Sequence, residues 1–367
     1  MSNTHERSSR FGHLFVGGSI VLMLVSCRSV PQSADSLALT GVSQLSTENA
    51  YNPIPSPDGS RIAAIRTGRR AGGSGGMGRS NLLSEVIVLD THGRTLSPRP
   101  ISDKFVSEWS KDGLVLFRDW SYSLASETGA AISQGRTCSE DKIRSQDQFA
   151  CVERVAYLSQ RRSFVWVRQI FNAAVLVTPV GDLSPPAQPG FLGEWLAPSP
   201  DERYIAVGPA RMGTVLQVYD LQTKTWFNLG PIIMHPERGW DWMEPGWSPW
   251  FPDSSKLAFF TADGLIISSP DGKSQSLVRH SGEPSGLPTP SPDGRAIAYA
   301  TFSAPSWNRT GIWVVDIDKP DQPQRVAEPT PESIYGLRWL GNRHVVFDRV
   351  RKGIPPVARL WIAAVNR

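Results

Sequence analysis

The feature that most restricts what this chain can become is a short turn written several times over. The stretch PSPDGSRIAAI at 55–65 returns as SPDERYIAV from Ser199, FPDSSKLAFF from Phe251 and SPDGRAIAYA from Ser291. Pro presets φ at the first turn position, Asp accepts hydrogen bonds from nearby amides, and Gly supplies the positive φ that sends the chain into the next strand. One hairpin repeated through 367 residues points to an architecture of like units.

Aligned on the residue matching Pro57, the units are anchored at Pro57, Lys111, Gln160, Pro200, Pro252, Pro292 and Leu340. Their irregular spacing, around 47 residues on average, is that of propeller blades with variable loops. The third and seventh anchors keep the pattern without the Asp, so the expectation is seven blades, with six as the alternative count. Each unit reads as a short strand into the turn, an alternating run such as 61–65 or 295–300, a variable loop, a third run such as 85–90, 215–220 or 311–316, and a fourth strand. That is a four-stranded antiparallel blade, so the fold class is an all-β β-propeller. Thirty Pro and 32 Gly suit a chain of many turns. After the last anchor only two runs remain, at 344–347 and 358–364, while residues 37–45 (LALTGVSQL) form a spare strand. The N-terminal strand is expected to complete the last blade and close the ring. Asp58, Asp201, Asp253 and Asp293 are read as structural turn residues, because an acid tied to its own turn is poorly placed for proton transfer. The further match SSPDGKS at 268–274 follows a third run and is read as another turn.

These units resemble the WD-like propeller repeats of the TolB family, whose pattern is a Trp/Pro-Ser-Pro-Asp-Gly turn followed by an Ile-Ala-Phe-like strand. The resemblance covers residues 37–367 and implies an envelope propeller used as a binding scaffold. TolB itself has an α/β domain before its propeller and is not lipidated, so partner contacts made through that domain are not carried over.

The N-terminus reads as a targeting segment. Arg7 and Arg10 precede an apolar stretch at 14–25 (LFVGGSIVLMLV) that is too short to span a bilayer. Leu24-Val25-Ser26-Cys27 then resembles a bacterial lipobox, which implies cleavage after residue 26, lipidation of Cys27 and firm membrane attachment by several acyl chains. The expected organisation is a signal peptide at 1–26, a lipidated tether at 27–36 and the propeller at 37–367. Arg28 follows Cys27 in place of the Asp that marks inner-membrane retention, so the periplasmic side of the outer membrane is favoured. Cys138 and Cys151 are read as a disulfide of the oxidising envelope, contributing about 3 kcal/mol by loop closure.

In a propeller the loops between strands two and three, and those between blades, share one face. The long insertions at 67–82, 119–149, 208–213, 231–248, 303–310 and 351–356 all fall on it, and long loops on a rigid scaffold are where binding concentrates. Arg69, Arg70, Arg79, Arg211, Arg238, Arg309, Arg351 and Lys352 make this face basic, suited to an envelope protein with an acidic surface or to an anionic glycan. The segment HPERGWDWMEPGWSPWF at 235–251 adds Trp240 and Trp242 as binding residues, whereas Trp250 and Trp109 sit at strand ends and read as core. The expected function is a lipid-anchored, non-catalytic binding scaffold for another envelope protein. The alternative is a glycan-binding or glycan-cleaving propeller of the sugar-acid lyase kind.

Other classes fit poorly. A formal charge of +4 is far from the dense basic stripe that nucleic acid requires. AGGSGGMG at 71–78 contains both G-x-S-x-G and G-x-G-x-x-G, but no helix follows to give either motif its chemistry. His92, His235, His280 and His344 lack metal-like spacing. The expectation is a monomer with no catalytic residues, cofactor or metal.

Overall fold

The structure is a computed structural model that describes residues 41–69, 82–97, 100–102, 105–118, 121–136, 155–170, 173–178, 181–182, 193–209, 215–232, 248–278, 288–303, 308–351 and 357–366. Among them the secondary structure is strand and turn, with no helix. Seven antiparallel sheets follow one another along the chain. Sheet one comprises Ala50–Pro55, Arg61–Arg69, Leu82–Asp90 and Ile101–Ser102, and sheet two Phe105–Ser110, Gly113–Arg118, Ser121–Ala125 and Ala131–Arg136. Sheet three comprises Val155–Leu158, Ser163–Ile170, Ala173–Thr178 and Gly181–Asp182, and sheet four Gly193–Pro198, Tyr204–Pro209, Val215–Asp220 and Thr225–Pro231. Sheet five has three strands, Leu257–Thr261, Gly264–Ser268 and Gln275–Val278, and meets Trp250 through a single bridge to Leu257 where an innermost strand would run. Sheet six is Thr289–Pro290, Ala296–Ser303, Asn308–Asp316 and Gln324–Ala327.

Sheet seven closes the molecule. Leu337–Leu340, His344–Arg351 and Val357–Ala364 are consecutive, but the fourth strand is Val42–Ser46, antiparallel to Val357–Ala364 with Val42 opposite Ala363 and Ser46 opposite Leu360. The spare N-terminal strand therefore fills the last sheet, starting a few residues later than the apolar pattern suggests.

The buried apolar residues fall into seven clusters, one at each contact between successive sheets. Ala63 and Ile65 face sheet two, while Ile62 and Ala64 on the same strand face sheet seven. Side chains alternate along a strand, and both faces of a blade are covered, so the strands read as nearly continuous apolar runs. The cluster of Leu45, Ala50, Ile62, Leu89, Leu340, Val346 and Leu360 joins the last sheet to the first. Among the described residues the result is a β-propeller ring of six complete four-stranded blades and the shorter sheet five. Trp250 and Trp109 are buried. The Trp250 indole N–H donates to Ala197 O of sheet four and that of Trp339 to Thr289 O of sheet six, each at 2.8 Å, so these rings pin a sheet to the one before it.

The repeated turn has one geometry. In the copy at 56–61, Ser56 Oγ donates to Asp58 Oδ1 and accepts from Arg61 N, Asp58 Oδ1 accepts from Ser60 N, and Gly59 N donates to Ser56 O. The copies starting at Ser199, Ser269 and Ser291 repeat the Ser–Asp bond and the Asp-to-backbone bond. Phe251 replaces the Ser in one copy, and there Asp253 still accepts from Ser255 N. The fourth turn position is left-handed throughout: Gly59 and Gly294 at φ 69°, but Glu202 at 55° and Ser254 at 62°.

That fourth position faces the preceding turn around the ring. A Cβ at Gly59 would lie 3.5 Å from Gly341 N of sheet seven, and one at Gly294 would lie 3.5 Å from Pro252 Cδ of sheet five. Where the glycine is replaced, the side chain reaches across. Ser254 Oγ accepts from Asp201 N at 2.9 Å, and Glu202 accepts from Gln160 N at 2.6 Å and Arg161 N at 3.2 Å.

Candidate functional site

Antiparallel meanders send alternate connections to opposite ends. The connections between second and third strands and those between sheets therefore emerge together, on what we call the loop face. Arg69 ends the second strand of sheet one, Arg309 lies near the start of the third strand of sheet six, and Arg351 ends the second strand of sheet seven. The fold thus brings these three arginines to one face over three consecutive sheets. Arg70, Arg79, Arg211, Arg238, Trp240, Trp242 and Lys352 lie outside the described residues, as do Cys27, Cys138 and Cys151.

The described part of this face carries its own counter-charges. Exposed Arg351 pairs with Glu332 at 3.2 Å, and Arg66 pairs with Glu85 at 2.7 Å and Glu48 at 3.5 Å. Arg349 stacks over the rings of Trp361 and Phe347, at 4.9 and 5.5 Å, and donates to Glu328 O. Burial lowers its pKa, with Glu332 opposing that effect. The link from the closing strand into sheet one is also held here, since Ala358 N donates to Asn49 Oδ1 at 2.6 Å. Exposed pairs of this kind contribute little stability but fix where charge is presented.

The opposite, turn face is less acidic than its aspartates alone suggest. Asp271 pairs with Lys273, Asp220 with Arg203 and Asp90 with Arg94, and Arg61 pairs with Glu127 of the neighbouring sheet. The Ser56 hydroxyl, then the Ser60 amide and hydroxyl, hold Asp58 down to about 2, and Ser269 with Lys273 does the same for Asp271. Carboxylates stabilised as anions in this way are weak bases and poor proton carriers at neutral pH. Among the described residues no group of three His, Cys, Asp or Glu is arranged to hold a metal ion, and no helix is long and apolar enough to cross a membrane.

Two buried carboxylate seams escape sequence reading. Asp348 is fully buried between sheets seven and one, where its Oδ2 accepts from Asn52 N at 2.7 Å and its Oδ1 from Tyr335 N at 2.6 Å and Gly336 N at 3.1 Å. Asn52 is left-handed at φ 52° and its amide N and O have no hydrogen-bond partner among the described residues. A Cβ on Gly336 would meet Pro53 Cδ at 2.7 Å, so the seam is closely packed. The second seam holds Glu108 of sheet two, which accepts from Tyr157 N of sheet three at 3.4 Å. Glu108 is only partly buried by area, yet desolvation pushes its carboxyl up to about 7, with the Tyr157 amide opposing and Glu202 adding to the rise. One signal of each seam was in the sequence. Asp348 is an acid inside the apolar run HVVFDRV, and Glu202 stands where the turn motif has Gly.

No protein-family model matches this chain, and no curated protein matches it. A solved structure does. The β-propeller domain of Cps50 (Swd1) from Myceliophteria thermophila superposes with a TM-score of 0.55 at 12% identity, covering 89% of this chain and 100% of its own. At that identity the likeness establishes the β-propeller fold alone.

Proposed function

We propose that this chain is an exported, lipid-anchored bacterial envelope protein, TolB-like in its repeats, whose propeller binds another envelope protein through the loop face without catalysis. The observation that carries the reading is topological. A ring closed by Val42–Ser46 gathers its long connections at one end and brings Arg69, Arg309 and Arg351 to that end. Rigid scaffolds with variable loops on one face are suited to recognition. Cys27 at the end of the apolar leader is the proposed lipidation site, with residues 27–36 as tether and the periplasmic side of the outer membrane as location. Cys138 and Cys151 are proposed to pair, and the protein to act as a monomer. Arg70, Arg79, Arg211, Arg238 and Lys352 would extend the basic surface toward an acidic partner, with Trp240 and Trp242 as apolar anchors.

In-cell photo-crosslinking tests this, with the probe at Trp242 and a turn-face control at Lys273. A discrete protein adduct from Trp242 alone supports the reading and captures the partner. Absence of adducts from both positions overturns it and favours the second reading, a glycan-binding or glycan-cleaving propeller. Sugar-dependent quenching of Trp fluorescence would then identify that platform.

A further inference from the structure

Two glutamates from different sheets grip the same stretch of sheet three. Glu108 takes Tyr157 N from the sheet-two side, and Glu202 takes Gln160 N and Arg161 N from the sheet-four side. Their supplies of donors are unequal. Among the described residues, buried Glu202 has two amides, one at 2.6 Å, whereas Glu108 has a single amide at 3.4 Å. Amides aimed at a carboxylate stabilise its charge, so Glu108 is the member of the pair that takes a proton. Among the described residues, the other charged groups acting on this stretch are Asp112, hydrogen-bonded to the Tyr157 hydroxyl, and Arg162, whose charge acts on the same tyrosine. Neither supplies Glu108 with a compensating ion pair. A protonated Glu108 keeps a carbonyl oxygen for the Tyr157 amide, while an ionised one repels Glu202 across the strand.

We propose that this seam is a proton-controlled joint: sheet three is seated against both neighbours while Glu108 is neutral, and loosens when Glu108 and Glu202 are both ionised. The joint acts inside the ring and needs no partner, so its fate is separate from that of the binding reading. The seated carboxyl stands at about 7 against an ordinary 4.5. The seated state therefore holds the proton more tightly than the open one. Seating is fully favoured below about pH 4.5 and is lost as pH rises through about 7.

Site-resolved amide hydrogen exchange on the intact chain tests the joint between about pH 5 and pH 8, after correction for intrinsic exchange. The expected result is that opening of 155–170, relative to 257–268 of sheet five, increases by about tenfold per pH unit up to about 7 and then levels. Glu108→Gln should abolish the step. Glu202→Gln should move its midpoint to lower pH by removing the repulsion, an outcome that a merely structural contact would not produce. A flat wild-type profile overturns the proposal, as does a step whose midpoint is unmoved in both variants. Should Glu108→Gln not fold, the wild-type profile and the Glu202→Gln midpoint decide the question.

Discussion

The two buried carboxylate seams differ in how many amides each acid is given. At the junction of sheets seven and one, Asp348 is fully buried and accepts from three backbone N–H groups. At the junction of sheets two and three, Glu108 accepts from one among the described residues, at 3.4 Å, with another carboxylate nearby. A buried acid matched by donors clamps two sheets, whereas an under-matched one responds to protons. The clamp stands where the ring closes, which is the place where the two ends of the propeller chain must be kept together.

The largest expected effect comes from breaking the clamp. Asp348→Ala strips the acceptor from three amides and should lower unfolding stability by about 3 to 5 kcal/mol in chemical denaturation. A loss below about 1 kcal/mol would mean that apolar packing and the Val42–Ser46 strand close the ring without it. Glu202→Ala, which leaves the Gln160 and Arg161 amides without their carboxylate, should cost about 2 kcal/mol, read as a shifted urea midpoint. Ser254→Gly sharpens the comparison between side chains at the same turn position. It removes the bond from Asp201 N, worth about 1 kcal/mol, but relieves a left-handed φ at a similar cost, so its denaturation curve should nearly overlay the wild type.

A separate effect lies at acid pH and belongs to the turn face. The Ser56 hydroxyl and Ser60 hold Asp58, and Ser269 and Lys273 hold Asp271, at about 2 against an ordinary 3.8. Lowered carboxyl values mean stability that is present above 3.8 and lost as pH falls toward about 2. Melting temperatures followed downward from about pH 5 should show this decline, opposite in direction to the Glu108 effect at neutral pH. Asp58→Asn with Asp271→Asn should flatten it.

Much of the fold was legible because its signals are local. The Ser-Pro-Asp-Gly turn closes within six residues through its own Ser and Asp side chains, so the residues that write it also hold it. The closing strand was legible by counting runs, although its pairing joins Val42 to Ala363. The loop-face grouping of Arg69, Arg309 and Arg351 followed from the same count, since strand order alone assigns each connection to an end. The counter-ions of Arg351 and of Arg66 were not legible. Glu332 and Glu48 reach their arginines from separate connections.

The sequence by itself determined the turn chemistry, the short apolar strand runs and hence the propeller, because hydrogen bonds between near neighbours and the spacing of repeated units need no knowledge of the rest of the chain. Only the tertiary structure decided which acids become clamps. Asn52 and Asp348 meet across 296 positions, and Glu202 reaches back to a turn about forty residues earlier. Whether a carboxylate in such a seam stays charged depends on desolvation and on amides delivered by another sheet, quantities that exist only once the ring has closed.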